Sequence, residues 1–257
     1  MLGFTSKATR AIGAGLVGAA IIAGAQGRTR RRVDEVDPQA DMPIMHSVSA
    51  KICGLSTSDT VGAAVRHGAT HIGLVFFPKS PRHVTIEQAA TLARDVPAHV
   101  GKVGVLVDPD DALIDQVVHA GIDTLQLHGG ETPQRLAALR SRYPTTKLWK
   151  AIPVRARADL NAARRYAPLV DLLLYDAKTP EGTLPGGMGL RFDWTLLDGF
   201  RHPRRWALSG GIDIDNVERA AGVTGARLVD ISSGVEGAPG IKEVDKIAAF
   251  LQRVASL

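Results

Sequence analysis

The feature that most constrains this chain is a recurrence. From Ser47 onward, short apolar runs alternate with amphipathic stretches at intervals of roughly 20 to 35 residues, the spacing of βα units. Eight runs can be counted: AKICG (50–54), HIGLVF (71–76), KVGVLV (102–107), TLQLH (124–128), KLWKAI (147–152), VDLLLY (170–175), RRWALS (204–209) and ARLVDIS (226–232). They are nearly continuous in Val, Ile and Leu, as parallel strands buried on both faces must be. Between them lie stretches of helical period, such as IEQAATLARDV (86–96), DALIDQVVHAG (111–121), PQRLAALRSRY (133–143), ADLNAARRYA (158–167) and IDNVERAAGV (214–223), with a terminal helix over 244–255. Gly68, Gly121 and Gly222 are read as helix ends. Eight such units predict an α/β fold, a single (β/α)8 TIM barrel over residues 47–257. A doubly wound sheet would place a G-x-G-x-x-G turn after its first strand, and here that strand ends in KICG without one.

Residues 1–46 are read separately, as a leader. Residues 1–33 carry Lys7, Arg10, Arg28, Arg30, Arg31 and Arg32 and no acid, a charge of +6 against +5 for the whole chain, so the remainder is −1. A near-neutral body has no distributed electrostatic footprint for nucleic acid, and none is expected as a partner. The stretch AIGAGLVGAAIIAGAQG (11–27) resembles a signal-peptide core, with Ala23 and Ala25 at cleavage-site spacing. It is short for a membrane span, and the arginines that follow disfavour export, so initiation at Met42 or Met45 is the alternative. No stable membrane association is expected. Cys53 is the only cysteine, so no intramolecular disulfide can form.

In a barrel of this kind, chemistry gathers at the C-terminal ends of the strands. Cys53 ends the first run beside Lys51 and Gly54, and reads either as a small buried hydrophobe or as a reactive thiolate. Asp176 follows LLLY, as a helix cap or as an acid set in apolar surroundings. The turns SGGI (209–212) and SSGVE (232–236) follow runs seven and eight, where barrels commonly cradle phosphate on backbone N–H groups. Arg82, in FFPKSPRHV (76–84), reads either as part of a solvated loop or as a grip on a carboxylate, whereas His128 reads as a core or loop histidine satisfied by backbone rather than as a catalytic base. The Gly/Pro segment 179–189 suits a cover over substrate as well as it suits a plain surface loop. No metal-ligand spacing and no cofactor motif occurs. A thiolate, an acid and a phosphate anchor point to proton shuttling on a sugar phosphate.

Taken together, KICG (51–54), GLVFFPKSPRHV (73–84), VGVLVD (103–108), LQLHG (125–129), YDAKTP (175–180), GGMGLRFDW (186–194), LSGGI (208–212) and VDISSGVEGAPGIKE (229–243) resemble the phosphoribosylanthranilate isomerases of tryptophan biosynthesis. The likeness runs from about Ala50 to the C-terminus, in the family's order. It implies a cytoplasmic enzyme of the third step from chorismate, monomer or homodimer, with a small-molecule substrate. The implied reaction is an Amadori rearrangement of N-(5-phosphoribosyl)anthranilate to 1-(2-carboxyphenylamino)-1-deoxyribulose 5-phosphate, with neither cofactor nor metal. On the same resemblance, Asp176 matches the general acid and Cys53 the general base. Arg82 matches an arginine near the anthranilate carboxylate, Asp230 an aspartate near the substrate amine, and Gly210, Gly211, Ser233 and Gly234 the phosphate loops. Met188 and Glu243 depart from the family pattern.

Three rival readings remain, one of them a leader-directed envelope protein that would be found in the membrane or exported fraction. An aldolase-like or indole-forming barrel would need a strand-end amine, for which Lys150 and Lys178 are the candidates. A silent barrel that senses a phosphorylated metabolite would bind without turnover.

Overall fold

The eight apolar runs form eight parallel strands that close on themselves. The structure, a computed structural model, describes residues 47–180 and 189–257; what the sequence suggests for 1–46, and for Met188, lies outside them. The strands are β1 (Ser49–Cys53), β2 (His71–Phe76), β3 (Gly101–Leu106), β4 (Thr124–Leu127), β5 (Lys147–Val154), β6 (Leu172–Ala177), β7 (Trp206–Leu208) and β8 (Leu228–Ile231). Each pairs with its neighbour in chain order, and β1 pairs with β8 in the register Ala50↔Val229 and Ile52↔Ile231, which closes the barrel.

Why the runs are continuous rather than alternating is visible in where their residues go. Ile52, Ile72, Leu74, Leu125, Leu173, Tyr175 and Val229 turn outward into the large core beneath the helices. Their strand neighbours Val103, Trp149, Leu172, Leu174, Ala207 and Leu228 turn inward and fill the lower barrel. Successive side chains on a strand face opposite ways, so both parities must be apolar when both faces are buried. Higher up, the inward layer is Cys53, Val75 and Val105, and here apolar filling gives way to polar groups.

The helices begin where cap residues stand. Thr57 starts α1 (Ser58–Arg66), Asp110 starts α3 (Asp111–His119) and Thr132 starts α4 (Pro133–Arg142), each side chain accepting from a backbone N–H of the first turn. Thr85 and Gln88 form a capping box on α2 (Ile86–Arg94). The stretch 158–167 is less regular than its pattern suggests: α5 (Asn161–Tyr166) is flanked by single 3-10 turns. Gly68 and Gly121 follow their helices in left-handed conformation, as expected. Gly222 does not. It lies inside α6 (Val217–Thr224), and the left-handed cap is Gly225, at φ 70°. The terminal helix α7 (Val244–Ala255) buries Ile247, Phe250, Leu251 and Val254 and packs on α1.

Two features have no sequence counterpart above. After β6 the described chain forms a 3-10 turn, Trp194–Leu197, where other units have an α-helix. Beyond β8, a small antiparallel ribbon pairs β9 (Glu236–Ala238) with β10 (Ile241–Lys242).

Candidate active site

At the C-terminal mouth, the inward parity of the strands places Cys53, Gln126, His128, Asp176 and Asp230 around one cavity of about 570 Å³, with Arg82 on its rim. An adjoining cavity of about 340 Å³ shares Asp176, Ser209, Asp230 and Ser232 with the first and is lined by Gly210, Gly211 and Ser233. One end is therefore apolar and charged by turns, and the other is built from backbone and hydroxyl groups.

Lys51 organises the first end. It is fully buried, two residues before Cys53 on the same strand face, and its Nζ donates to Asp230 Oδ1 at 2.8 Å. Burial alone would discharge it, but Asp230 and then the Cys53 thiol reverse the sign and leave its pKa raised. Burial pushes the Cys53 thiol up, against the opposing pull of the Lys51 ammonium. At Cys53 loss of water therefore outweighs the nearby cation. Gly73 makes room for the pair, since a Cβ there would lie 3.0 Å from Cys53 Sγ and 3.1 Å from Lys51 Cε.

Asp176 is also buried and doubly anchored. Its Oδ1 accepts from the Ala177 N–H at 2.9 Å, and its Oδ2 meets His128 Nε2 at 3.1 Å. His128 Nδ1 lies 3.1 Å from Gln126 Nε2, so the three residues form a chain leading to the acid. His128, read from sequence as a core or loop histidine satisfied by backbone, is instead side-chain bonded and lines the cavity. The loop behind it is pinned by Glu131, which accepts from the backbone N–H groups of Asp108 and Gly129.

Arg82 forks onto Glu236, with Nε donating to Oε1 and Nη2 to Oε2, both at 2.8 Å. Lys242 Nζ also donates to Glu236 Oε1, at 2.6 Å, so β9 and β10 brace the arginine at the rim. Although burial works against it, Arg82 and Lys242 hold the Glu236 pKa below its ordinary 4.5. Sequence reasoning missed Lys51, Gln126, Glu236 and Lys242.

The glycine turns divide in function. Gly210 and Gly211 have φ of 89° and 64° and line the second cavity. A Cβ on Gly210 would meet the Ala177 nitrogen at 2.8 Å and Asp176 Oδ1 at 3.1 Å, so this turn must be bare to pass the acid. Ser233 lines the same cavity, but Gly234 lines neither; a Cβ there would stand 2.4 Å from the Ile212 carbonyl oxygen, so it lets the two loops touch. Thr179 and Gly189, the described ends of the 179–189 segment, also line this end.

The amines that an aldolase-like barrel needs are elsewhere. Lys150 Nζ donates to the carbonyls of Leu127, Gly129 and Ala151 and pairs with Glu131 at 3.0 Å. Lys178 is exposed, and neither lysine lines either of the two cavities described above. Among the described residues no group of His, Cys, Asp or Glu could hold a metal ion.

The family model for N-(5'-phosphoribosyl)anthranilate (PRA) isomerase matches residues 50–253. The chain belongs to that family. It is an intramolecular isomerase of tryptophan biosynthesis. The N-(5'-phosphoribosyl)anthranilate isomerase of Zymomonas mobilis subsp. pomaceae is 58% identical over 211 residues, covering 82% of this chain and 100% of the relative. That of Parvibaculum lavamentivorans is 51% identical over 210 residues, covering 80% and 97%. The crystal structure of phosphoribosyl anthranilate isomerase from Thermotoga maritima superposes with a TM-score of 0.73 at 33% identity, covering 82% of this chain and all of its own. A phosphoribosyl anthranilate isomerase solved in complex with reduced 1-(o-carboxyphenylamino)-1-deoxyribulose 5-phosphate gives 0.71 at 31%, with the same coverage. No helix among the described residues is long and apolar enough to cross a membrane.

Proposed function

We propose that the chain performs the Amadori rearrangement of N-(5-phosphoribosyl)anthranilate with Asp176 as general acid and Cys53 as general base. The observation that carries this reading is that the thiol and the carboxyl line the same cavity at the C-terminal mouth, with the glycine turns of Gly210 and Gly211 opening beside Asp176. Asp176 gives its proton to the ribose ring oxygen, and the C1′–O bond breaks as the anthranilate nitrogen forms a Schiff base. The Cys53 thiolate then takes the C2′ proton, whose electron pair moves into the C1′–C2′ bond, and the resulting enolamine tautomerises to the ketone. A thiol whose pKa is raised by burial is a stronger base once ionised, which suits proton removal from carbon.

The remaining groups position the substrate. Backbone N–H groups around Gly210, Gly211 and Ser233 hold the phosphate, and Gly234 keeps the two loops in contact. Arg82 takes the anthranilate carboxylate at the rim while Glu236 keeps the guanidinium oriented. Asp230 faces the substrate amine, its charge balanced by Lys51. His128 relays with Asp176: as the carboxylate, Asp176 accepts from His128 Nε2–H, with Gln126 donating to Nδ1. Turning the Gln126 amide over lets His128 accept at Nε2 from a protonated Asp176 and donate at Nδ1 to Gln126 Oε1, an atom otherwise without a partner.

The catalytic unit is residues 47–257, the small-molecule substrate is its partner, and the use of soluble phosphorylated metabolites assigns it to the cytoplasm. That a relative matched over its whole length corresponds to 82% of this chain supports a barrel sufficient for turnover. The test is the decay of anthranilate fluorescence from freshly generated phosphoribosylanthranilate, with the full chain, residues 46–257 alone, and full-length Cys53→Ala and Asp176→Asn. Both substitutions should slow turnover by on the order of 10²- to 10⁴-fold, the usual share of one acid or base. Activity retained in either variant would remove that residue from its role.

A further inference from the structure

The barrel has a second mouth, at the N-terminal ends of the strands, away from every residue placed in the reaction. It opens into a cavity of about 1,480 Å³, larger than either cavity at the catalytic end. Four cations line it, Lys147, Arg204, Arg205 and Arg227, with one carboxylate, Asp171. That carboxylate is already engaged, accepting from Arg140 Nη2 at 2.6 Å and from the Leu148 N–H at 2.7 Å. Arg204 donates Nε to the Val170 carbonyl at 2.7 Å, and, although burial works the other way, its charge also acts on Asp171, after Arg140, in holding that carboxyl below its ordinary pKa. Lys147 and Arg205 are exposed and have no side-chain hydrogen bond or ion pair among the described residues.

Conservative explanations fall short of this arrangement. The bottom of a barrel ordinarily serves stability. Lys147 and Arg205, which both line this cavity, are like charges with no bonded counter-charge among the described residues, and an anion between them would remove their repulsion. The field is felt inside the barrel: burial first, then Lys51, Lys147 and Arg205, drive the His71 pKa down to about 4, against the pull of Asp123. The inner wall is aromatic, with Trp149 forming the floor in edge contact with His71 at 5.0 Å and Trp206 at the side. Guanidinium forks and an ammonium above an apolar floor match clustered phosphate oxygens, with room for a ring beneath.

We propose that this N-terminal mouth binds a small oligophosphate anion, of nucleotide size, at a site separate from the catalytic one. Lys147, Arg204 and Arg205 grip the phosphates, and the Trp149 and Trp206 wall accommodates whatever the phosphates are attached to. The test is isothermal titration calorimetry on the full chain at low salt, with metal-free sodium tripolyphosphate and ATP as probes. Both should bind with an affinity that falls steeply as salt is raised. In Lys147→Ala/Arg205→Ala, binding should weaken by roughly tenfold or more, the scale of a lost charge-assisted contact. Because these two side chains hold nothing else in place, isomerase turnover should stay at the wild-type rate. Gly210→Ala, which alters the catalytic phosphate turn, should leave probe affinity unchanged. Failure of both probes to bind, binding of ATP without tripolyphosphate, equal affinity in the double variant, or loss of affinity in Gly210→Ala would each overturn the proposal. None of these readings depends on the assignment of Cys53 or Asp176.

Discussion

Replacing Lys51 by Met keeps the length of the side chain and removes its charge, leaving Asp230 buried with no cation within bonding distance. Removing one partner of a buried ion pair costs about 3–5 kcal/mol, because the other charge stays behind without water. Each kcal/mol moves the Tm of a domain of this size by roughly 2–4 °C, so Lys51→Met should melt roughly 6–20 °C below wild type in far-UV circular dichroism. The double variant Lys51→Met/Asp230→Leu removes the stranded charge as well and should recover at least half of that loss. The pH dependence has a definite sign. The Lys51 pKa is raised above its ordinary 10.5, so its contribution is fully present below that value and disappears as pH rises through the folded-state pKa. The gap between wild type and Lys51→Met should therefore close on the alkaline side. Lys51 is also the cation that most opposes the raised Cys53 pKa, so in the single variant the rising limb of kcat/KM should move to higher pH. A Lys51→Met protein melting within about 2 °C of wild type, or a double variant no more stable than the single, would refute the argument.

Two glycines give opposite expectations. Gly210→Ala forces a Cβ onto the Ala177 nitrogen at a φ of 89° and should raise KM while lowering the Tm, whereas Gly222→Ala meets nothing within 4 Å inside α6. The second substitution should stabilise by about 0.5–1 kcal/mol in urea melts, and destabilisation would contradict the placement of Gly222 within the helix. Glu236 has a pKa held below 4.5, so its contribution is present above that value and is lost as pH falls through the folded-state pKa. Glu236→Gln should be less stable than wild type at neutral pH, with the two curves converging in acid; parallel curves would refute the pairing.

The barrel was legible because its strands are buried twice over, which makes each run continuous and leaves no alternative for eight of them. The unit after β6 was not, because RFDWTLLDG is too short to show a helical period, and Trp194 and Leu197 anchor it by burial instead. Gly222 misled for a local reason: glycine marks a helix end only when the backbone there turns left-handed, and Gly225, three residues on, does so. In the site, Cys53 and Asp176 stand at the ends of apolar runs and were legible there, whereas Asp230, inside its run, was reached only through the family resemblance. Glu236 and Lys242 were not, since ribbons of three and two residues carry no period, and Arg82, the partner of Glu236, lies 154 residues away in sequence.

Lys51 is the instructive omission, because the signal was available. Side chains on a strand share a face at every second residue, so a Cys53 side chain projecting into the mouth requires Lys51 to project into the barrel below it. A lysine forced into a closed barrel must find a carboxylate, and the neighbouring strand in the closing pair supplies one at the matching position, Asp230 opposite Lys51. The same step also needs a small residue on the other side, and β2 places Gly73 there, in register with Cys53. The polar layer of this barrel therefore follows from strand parity and closure: once Cys53 points inward and β1 pairs with β8, the ammonium, its counter-ion and the gap that admits them are fixed together.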